Sequence, residues 1–136
     1  MKELKPEDLR LNNLVKEKYS GEVIKVEEIT TDSVTFSGFF IDKWKAEPIP
    51  LTGELLLKSE FSNKDYGYHI AIDRLRVLRL VISNGKFYAQ IEQLTTYGNG
   101  ENEVSIVDLN LEIKSYHQLQ NLYHTLTSEE LKLKEE

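Results

Sequence analysis

Apolar residues fall on alternate positions on both sides of Ser83-Asn84-Gly85-Lys86. An Asn-Gly pair accepts the two positive φ angles of a two-residue hairpin turn, so Ser83 is expected opposite Lys86 and the register runs back to Leu78 against Ile91. One face then carries Leu78, Leu80, Ile82, Phe87, Ala89 and Ile91, while Arg79, Val81, Tyr88 and Gln90 take the other. The same parity continued upstream would bury Arg74 and Arg76, which predicts a bulge or turn near residues 75–77. After a Gly- and Asn-rich loop at 95–103, Val107, Leu109, Leu111 and Ile113 alternate with Ile106, Asp108, Asn110 and Glu112, adding a third strand to a meander.

Upstream the pattern predicts a first hairpin. Val23, Ile24, Val26 and Ile29 mark a strand over 23–29, Thr30, Thr31, Asp32 and Ser33 offer turn-forming oxygens, and Val34-Thr35-Phe36 resumes an extended run. Leu11, Leu14 and Val15 predict a short opening strand before the Ser20-Gly21 step. Pro48 and Pro50 keep 47–51 extended, and a helix over 53–58 follows, with Thr52 as N-cap, Leu51 stapling to Leu56, and Leu55, Leu56 and Leu57 on its buried side. Phe61 is expected to anchor it. Ser115-Tyr116-His117-Gln118 fits a capping box, and Tyr116, Leu119, Leu122, Tyr123 and Leu126 share one arc of a second helix that ends at Thr127-Ser128.

These elements describe an α+β fold: a curled antiparallel sheet of about five or six strands with a short inserted helix and a C-terminal helix, an SH3-like open barrel being one form such a sheet takes. The absence of alternating strand and helix patterns argues against a doubly wound parallel sheet. With 136 residues, 40% hydrophobic and 29% charged, the chain is expected to form a single domain, residues 128–136 being a charged C-terminal tail.

The chain has no Cys, which excludes disulfides, thiol nucleophiles and thiolate metal sites. Its net charge of −6 has the wrong sign for coating a phosphate backbone. Lys2, Lys5 and Arg10 alternate with Glu3, Glu7 and Asp8 without an apolar run, so the N-terminus reads as neither signal peptide nor membrane span, and a cytoplasmic location without a membrane partner is expected.

Three segments resemble a family of small proteins encoded in Bacteroidetes genomes and their phages: Leu9-Arg10-Leu11-Asn12-Asn13-Leu14-Val15; Pro48-Ile49-Pro50-Leu51-Thr52 with Glu54-Leu55-Leu56-Leu57-Lys58; and His117-Gln118-Leu119-Gln120-Asn121-Leu122-Tyr123 with Leu126-Thr127-Ser128-Glu129-Glu130-Leu131. Where that family commonly has an acidic and an aromatic residue early in the first helix, this chain has Gly53 and Leu55. The resemblance implies a mobile-element setting and transfers no catalytic residue.

Two groups of side chains are candidates for function. Tyr116, His117, Gln120, Tyr123 and His124 place a polar stripe beside aromatic rings on the C-terminal helix, a composition suited to a protein partner, the competing explanation being a solvated helix flank. His117 and His124 lie roughly 10 Å apart along the helix axis and cannot share a metal. Arg74, Arg76, Arg79 and Tyr88, with Lys86 across the hairpin, offer guanidinium forks and a stacking ring for a nucleotide or single-stranded nucleic acid, unless they only protect a strand edge.

The remaining motifs carry less. Asp108, Asn110 and Glu112 begin like a calcium loop, but Ile113 stands where that loop needs Gly, so no metal is expected. Gly98-Asn99-Gly100 joins two strands instead of a strand and a helix, the wrong place for a phosphate cradle. His69 is too isolated for a catalytic base, and Glu27 and Glu28 are equally uninformative. The function read from the sequence is a non-enzymatic protein-interaction module using the C-terminal helix and adjoining strand edges, with nucleotide or single-stranded nucleic-acid binding as the alternative. No cofactor is expected, and self-association through strand edges stays open.

Overall fold

The computed structural model describes residues 9–17, 19–29, 34–36 and 46–133. The turn expected at 30–33 and the last three residues of the charged tail lie outside them. The chain divides into two compact units: Met1–Pro50 with Ser115–Leu122, and Leu51–Lys114 with Tyr123–Glu136.

The first unit holds a four-stranded antiparallel sheet in the order β3-β2-β1-β4, made of β1 (Leu14–Glu17), β2 (Val23–Ile29), β3 (Val34–Phe36) and β4 (Ala46–Glu47). The β2–β3 hairpin matches the sequence expectation, with Ile29 opposite Val34, and the opening strand lies at 14–17. Val15, Ile24, Val26, Val34 and Ala46 form the buried core with Leu9, as inward positions of alternating strands should.

The N-terminal half of the C-terminal helix belongs to this unit. That helix, α2 (Tyr116–Thr127), ends where the sequence predicts. Its entry is tied to the proline segment by the N–H of Tyr116 donating to the Ile49 carbonyl and by a bridge between Pro50 and Ser115.

The second unit opens with α1 (Gly53–Lys58), capped by Thr52, whose hydroxyl oxygen accepts the Leu55 N–H at 3.2 Å. Leu56 is fully buried and Phe61 is buried, but Leu57 is exposed, which corrects the expectation that all three leucines face inward. Successive residues of an α-helix are rotated by about 100°, so three in a row spread over roughly 200° and cannot share one face.

A five-stranded antiparallel sheet follows in chain order: β5 (Ser62–Lys64), β6 (Gly67–Ala71), β7 (Arg76–Ser83), β8 (Lys86–Thr96) and β9 (Asn102–Ile113). The β7–β8 register is the predicted one from Ser83↔Lys86 to Leu78↔Ile91. Leu78, Leu80 and Ala89 are fully buried, whereas Ile82 at the hairpin end is exposed. Upstream the strand is stopped by a turn at 72–75, where Asp73 Oδ1 accepts the N–H groups of Leu75 at 2.9 Å and Arg76 at 2.8 Å; Arg76 itself keeps the phase of Leu78 and Leu80 in an unshifted register with β8, so the phase is not reset within 75–77. The strands are thus shared between two open sheets, whereas the sequence suggested one of five or six, and no closed barrel forms among the described residues.

Candidate functional site

The C-terminal helix was the first candidate surface, and the structure buries most of it. Tyr116 is fully buried, His117 is buried and Gln120 is 2% exposed, while Tyr123 and His124 are half-buried. Gln120 is engaged with backbone: its Oε1 accepts the Leu14 N–H at 2.7 Å and its Nε2 donates to the Asn12 carbonyl at 3.3 Å. Next to it, Asn121 Oδ1 accepts from Asn13 Nδ2 at 2.8 Å and from Arg10 Nε at 3.1 Å. Asn12 itself takes a positive φ of 71°, which an Asn tolerates, and the helix amides satisfy the polar backbone of that tight turn. Gln120 and His117 are therefore not part of an open recognition face. Tyr123 is held by surroundings of the second unit, where burial raises its phenol above the ordinary value.

The arginine cluster does not assemble either. Arg74 is exposed in the 72–75 turn, and Arg76 is paired with Asp73 at 2.9 Å. Arg76 and Arg79 differ by an odd number of positions on β7, so they project from opposite faces of the sheet. Arg79 does share a face with Tyr88, through the pairs Arg79↔Gln90 and Val81↔Tyr88. However, Arg79 is only 9% exposed, and its guanidinium lies 3.8 Å over the Tyr66 ring and reaches Glu92 at 3.9 Å. Its charge is thereby already compensated, leaving little field for a phosphate.

Directly opposite Arg79 stands His69, which the sequence left isolated because β6 carries little strand signal. The buried Nε2 of His69 and Nε of Arg79 have no hydrogen-bond partner in the structure. Burial pulls the imidazole below its ordinary pKa, nearby Lys64 lowers it further, and Glu92 opposes them. The Tyr66 phenol is pushed up, first by burial. Tyr66, His69, Arg79 and Glu92 thus form a compact, largely neutralised group that covers one face of the sheet. Among the described residues no group of three or more His, Asp or Glu is placed to hold a metal ion.

The surface that does stay open is β9. It is twelve residues long and lies at the edge of its sheet, so one of its sides is unpaired among the described residues. At the hairpin end the Tyr97 N–H donates to the Glu101 carbonyl at 2.8 Å, and the Gly100 N–H closes the loop onto Tyr97. In an antiparallel ladder hydrogen-bonded and non-hydrogen-bonded pairs alternate, so Glu103, Ser105 and Val107 turn their backbone groups toward β8. Asn102, Val104, Ile106 and Asp108 turn theirs outward. The Leu94 N–H agrees with this phase, since it donates away from β9 to the Leu75 carbonyl at 2.7 Å.

Val104 is 58% exposed, Ile106 52% and Val107 51%. Of the apolar odd positions Val107, Leu109, Leu111 and Ile113, whose alternation predicts this strand, only Ile113 is buried. A register shift between Ala89 and Gln90, where Leu111 and Asp108 are the successive partners and Asn110 adopts a φ of 52°, inserts two residues and so keeps Val107 and Leu111 opposite Ile91 and Ala89, on the same face. Val107 and Leu111 are nevertheless exposed on this edge strand, on either side of the bulge. A signal for this was present: Val104, Ile106 and Val107 occupy both parities, which a strand buried on one side does not require.

Among the described residues no helix is long and apolar enough to cross a membrane. Comparison of the chain with family models, with curated proteins and with solved structures returns no match.

Proposed function

We propose that this protein is a non-enzymatic interaction module that recognises an extended polypeptide by adding it as a strand to the free edge of β9. The observation that carries this reading is the β8–β9 register, whose phase turns the backbone groups of Asn102, Val104, Ile106 and Asp108 outward beside the exposed side chains of Val104 and Ile106. Main-chain hydrogen bonds would supply affinity and the two apolar side chains selectivity, the general mode of strand addition. Natural edges are blunted by Lys, Pro or bulges, among other devices. Residues 102–108, which precede the bulge, contain neither Lys nor Pro.

A phage or mobile-element accessory role fits the sequence resemblance, and a small module that captures a partner without chemistry suits that setting. The nucleotide reading loses support because Arg76 and Arg79 are paired with carboxylates and point to opposite faces.

The test is native mass spectrometry of the protein isolated gently from its host, for the wild type and for Ile106→Pro. Proline at 106 removes an outward N–H while leaving the β8 ladder intact. A stoichiometric polypeptide on the wild type that is lost from the variant supports the proposal. Equal retention by both, or a bound oligonucleotide in place of a polypeptide, overturns it.

A further inference from the structure

We infer that the strand β9 accepts is β9 of a second copy of this chain, paired antiparallel with Ser105 opposite Ser105. This inference rests on the strand-addition reading and names its occupant.

The open edge is a bounded window. On one side it stops at the 98–101 loop, and on the other at the bulge around Asn110. Between them the outward residues are Asn102, Val104, Ile106 and Asp108, which are symmetric about Ser105. A two-fold axis through an antiparallel pair matches each residue with its mirror position, so a patch must complement itself. Centring the axis on Ser105 sets Asn102 against Asp108 and Val104 against Ile106, each twice. It is the register in which all four outward residues of both copies find partners, giving a closed set of eight main-chain hydrogen bonds.

Side-chain chemistry agrees with that centre. On one face Val104 and Ile106 of each copy form a continuous four-residue apolar strip, covering side chains that are each more than half exposed in the single chain. On the other face Glu103 lies opposite Val107, so no carboxylate meets another. Moving the axis to Glu103 or Asp108 would place like charges directly opposite, which is destabilising. The carboxylates within the window are already engaged: Glu103 accepts from the Tyr97 hydroxyl, and Asp108 accepts the Asn110 N–H at 2.8 Å. They therefore leave the edge accessible to a partner strand. Ser105, at the axis, occupies a non-hydrogen-bonded position, where antiparallel Cα atoms approach to roughly 4.5 Å and a small side chain is favoured.

The cysteine-free sequence allows a direct test by light scattering and by oxidation of single-cysteine variants. The wild type is expected to be dimeric at high concentration and Ile106→Pro monomeric, with unchanged circular dichroism. Mild oxidation of Ser105→Cys should give a disulfide-linked dimer, because the expected separation falls in the disulfide range of roughly 4.4–6.8 Å. Val107→Cys should not, since its two copies would lie more than roughly 13 Å apart, four residues along the strand.

A wild-type dimer in which Val107→Cys cross-links as readily as Ser105→Cys overturns this register. A monomeric wild type overturns the second copy. If that monomer gains amide protection at Asn102, Val104, Ile106 and Asp108 on adding a synthetic peptide of residues 102–108, strand addition itself survives. A monomer with no such protection removes both readings.

Discussion

Gln120 on α2 and Leu14 at the start of β1 are 106 positions apart in the chain, and the side-chain oxygen of one accepts the backbone N–H of the other at 2.7 Å. The same amide donates to the Asn12 carbonyl, so one side chain satisfies both directions of a tight turn. Gln120→Leu keeps the volume and removes both bonds. Leaving a fully buried backbone group unpaired costs roughly 1–3 kcal/mol; with Leu14 half-buried and Asn12 exposed water replaces part of the loss, so about 1–3 kcal/mol in all is expected in urea unfolding. His124→Ala, at a half-buried position of the same helix, should cost less than that. If the two variants prove equally stable, Gln120 does not hold the turn. A Gln120→Ala, His124→Ala double variant would for the same reason report on folding as well as on any partner.

This contact also marks where the sequence stops being informative. The β7–β8 hairpin was legible because Asn84-Gly85 fixes its register locally and alternation carries it along both strands. α1 and α2 were legible from Thr52, the prolines and one apolar arc. The role of Gln120 was not, since polarity on a helix signals solvent unless a partner elsewhere in the chain is known. β6 was missed because Gly67 and His69 are poor strand residues, and only pairing to β7 makes them extended. For β9 the alternation was read correctly and the odd positions keep the face of Ala89 and Ile91, but alternation does not tell that the strand lies at a sheet edge, where Val107 and Leu111 stay exposed. Segments 9–15, 48–58 and 117–131 contain Arg10, Asn12, Asn13, Ile49, Gln120 and Asn121, whose hydrogen bonds hold the turn at 11–13 and the entry of α2, so packing accounts for them without a binding role.

Gly67 gives a second prediction. Its φ is +146°, and a Cβ there would lie 2.1 Å from the Leu80 carbonyl oxygen. Such a conformation is essentially confined to glycine, and the clashing atom belongs to the backbone of a central strand and cannot swing away. Gly67→Ala should therefore destabilise by more than about 3 kcal/mol, combining backbone strain with displacement of β7. Gly85→Ala, at a φ of +75° with open space around the site, should cost only about 1–2 kcal/mol. The ratio of the two losses in thermal or urea unfolding tests the close approach of β6 to β7, and equal losses would contradict it.

His69 sets a pH dependence whose sign follows from its environment. Burial lowers its pKa below the ordinary 6.5, with Lys64 adding to the shift and Glu92 opposing it. The unfolded chain then takes up a proton before the folded one does. Stability from this group is fully present above about pH 6.5 and is lost as pH falls from there through the folded-state pKa. Nuclear magnetic resonance titration of the His69 ring should give a midpoint below 6.5. His69→Gln should lose less stability than the wild type on acidification across the same window, and a midpoint above 6.5 would show that Glu92 outweighs burial.

Proline scanning of β9 separates its two sets of backbone groups. If Val107 donates to β8 and Ile106 points outward, the two neighbouring substitutions must differ sharply although both side chains are about half exposed. Val107→Pro removes a ladder bond and forces its ring against β8, an effect of about 3 kcal/mol or more by analogy with proline in regular structure. Ile106→Pro loses no bond within the chain, and Ser105 before it is already extended, so its cost should stay near 1 kcal/mol or below. Urea unfolding of the two variants at concentrations that keep the wild type monomeric measures this contrast. Reversal of the order would mean that the outward residues are the odd ones, in which case Ser105 could not lie opposite Ser105 across a non-hydrogen-bonded pair and the pairing proposed for the edge would fail with it.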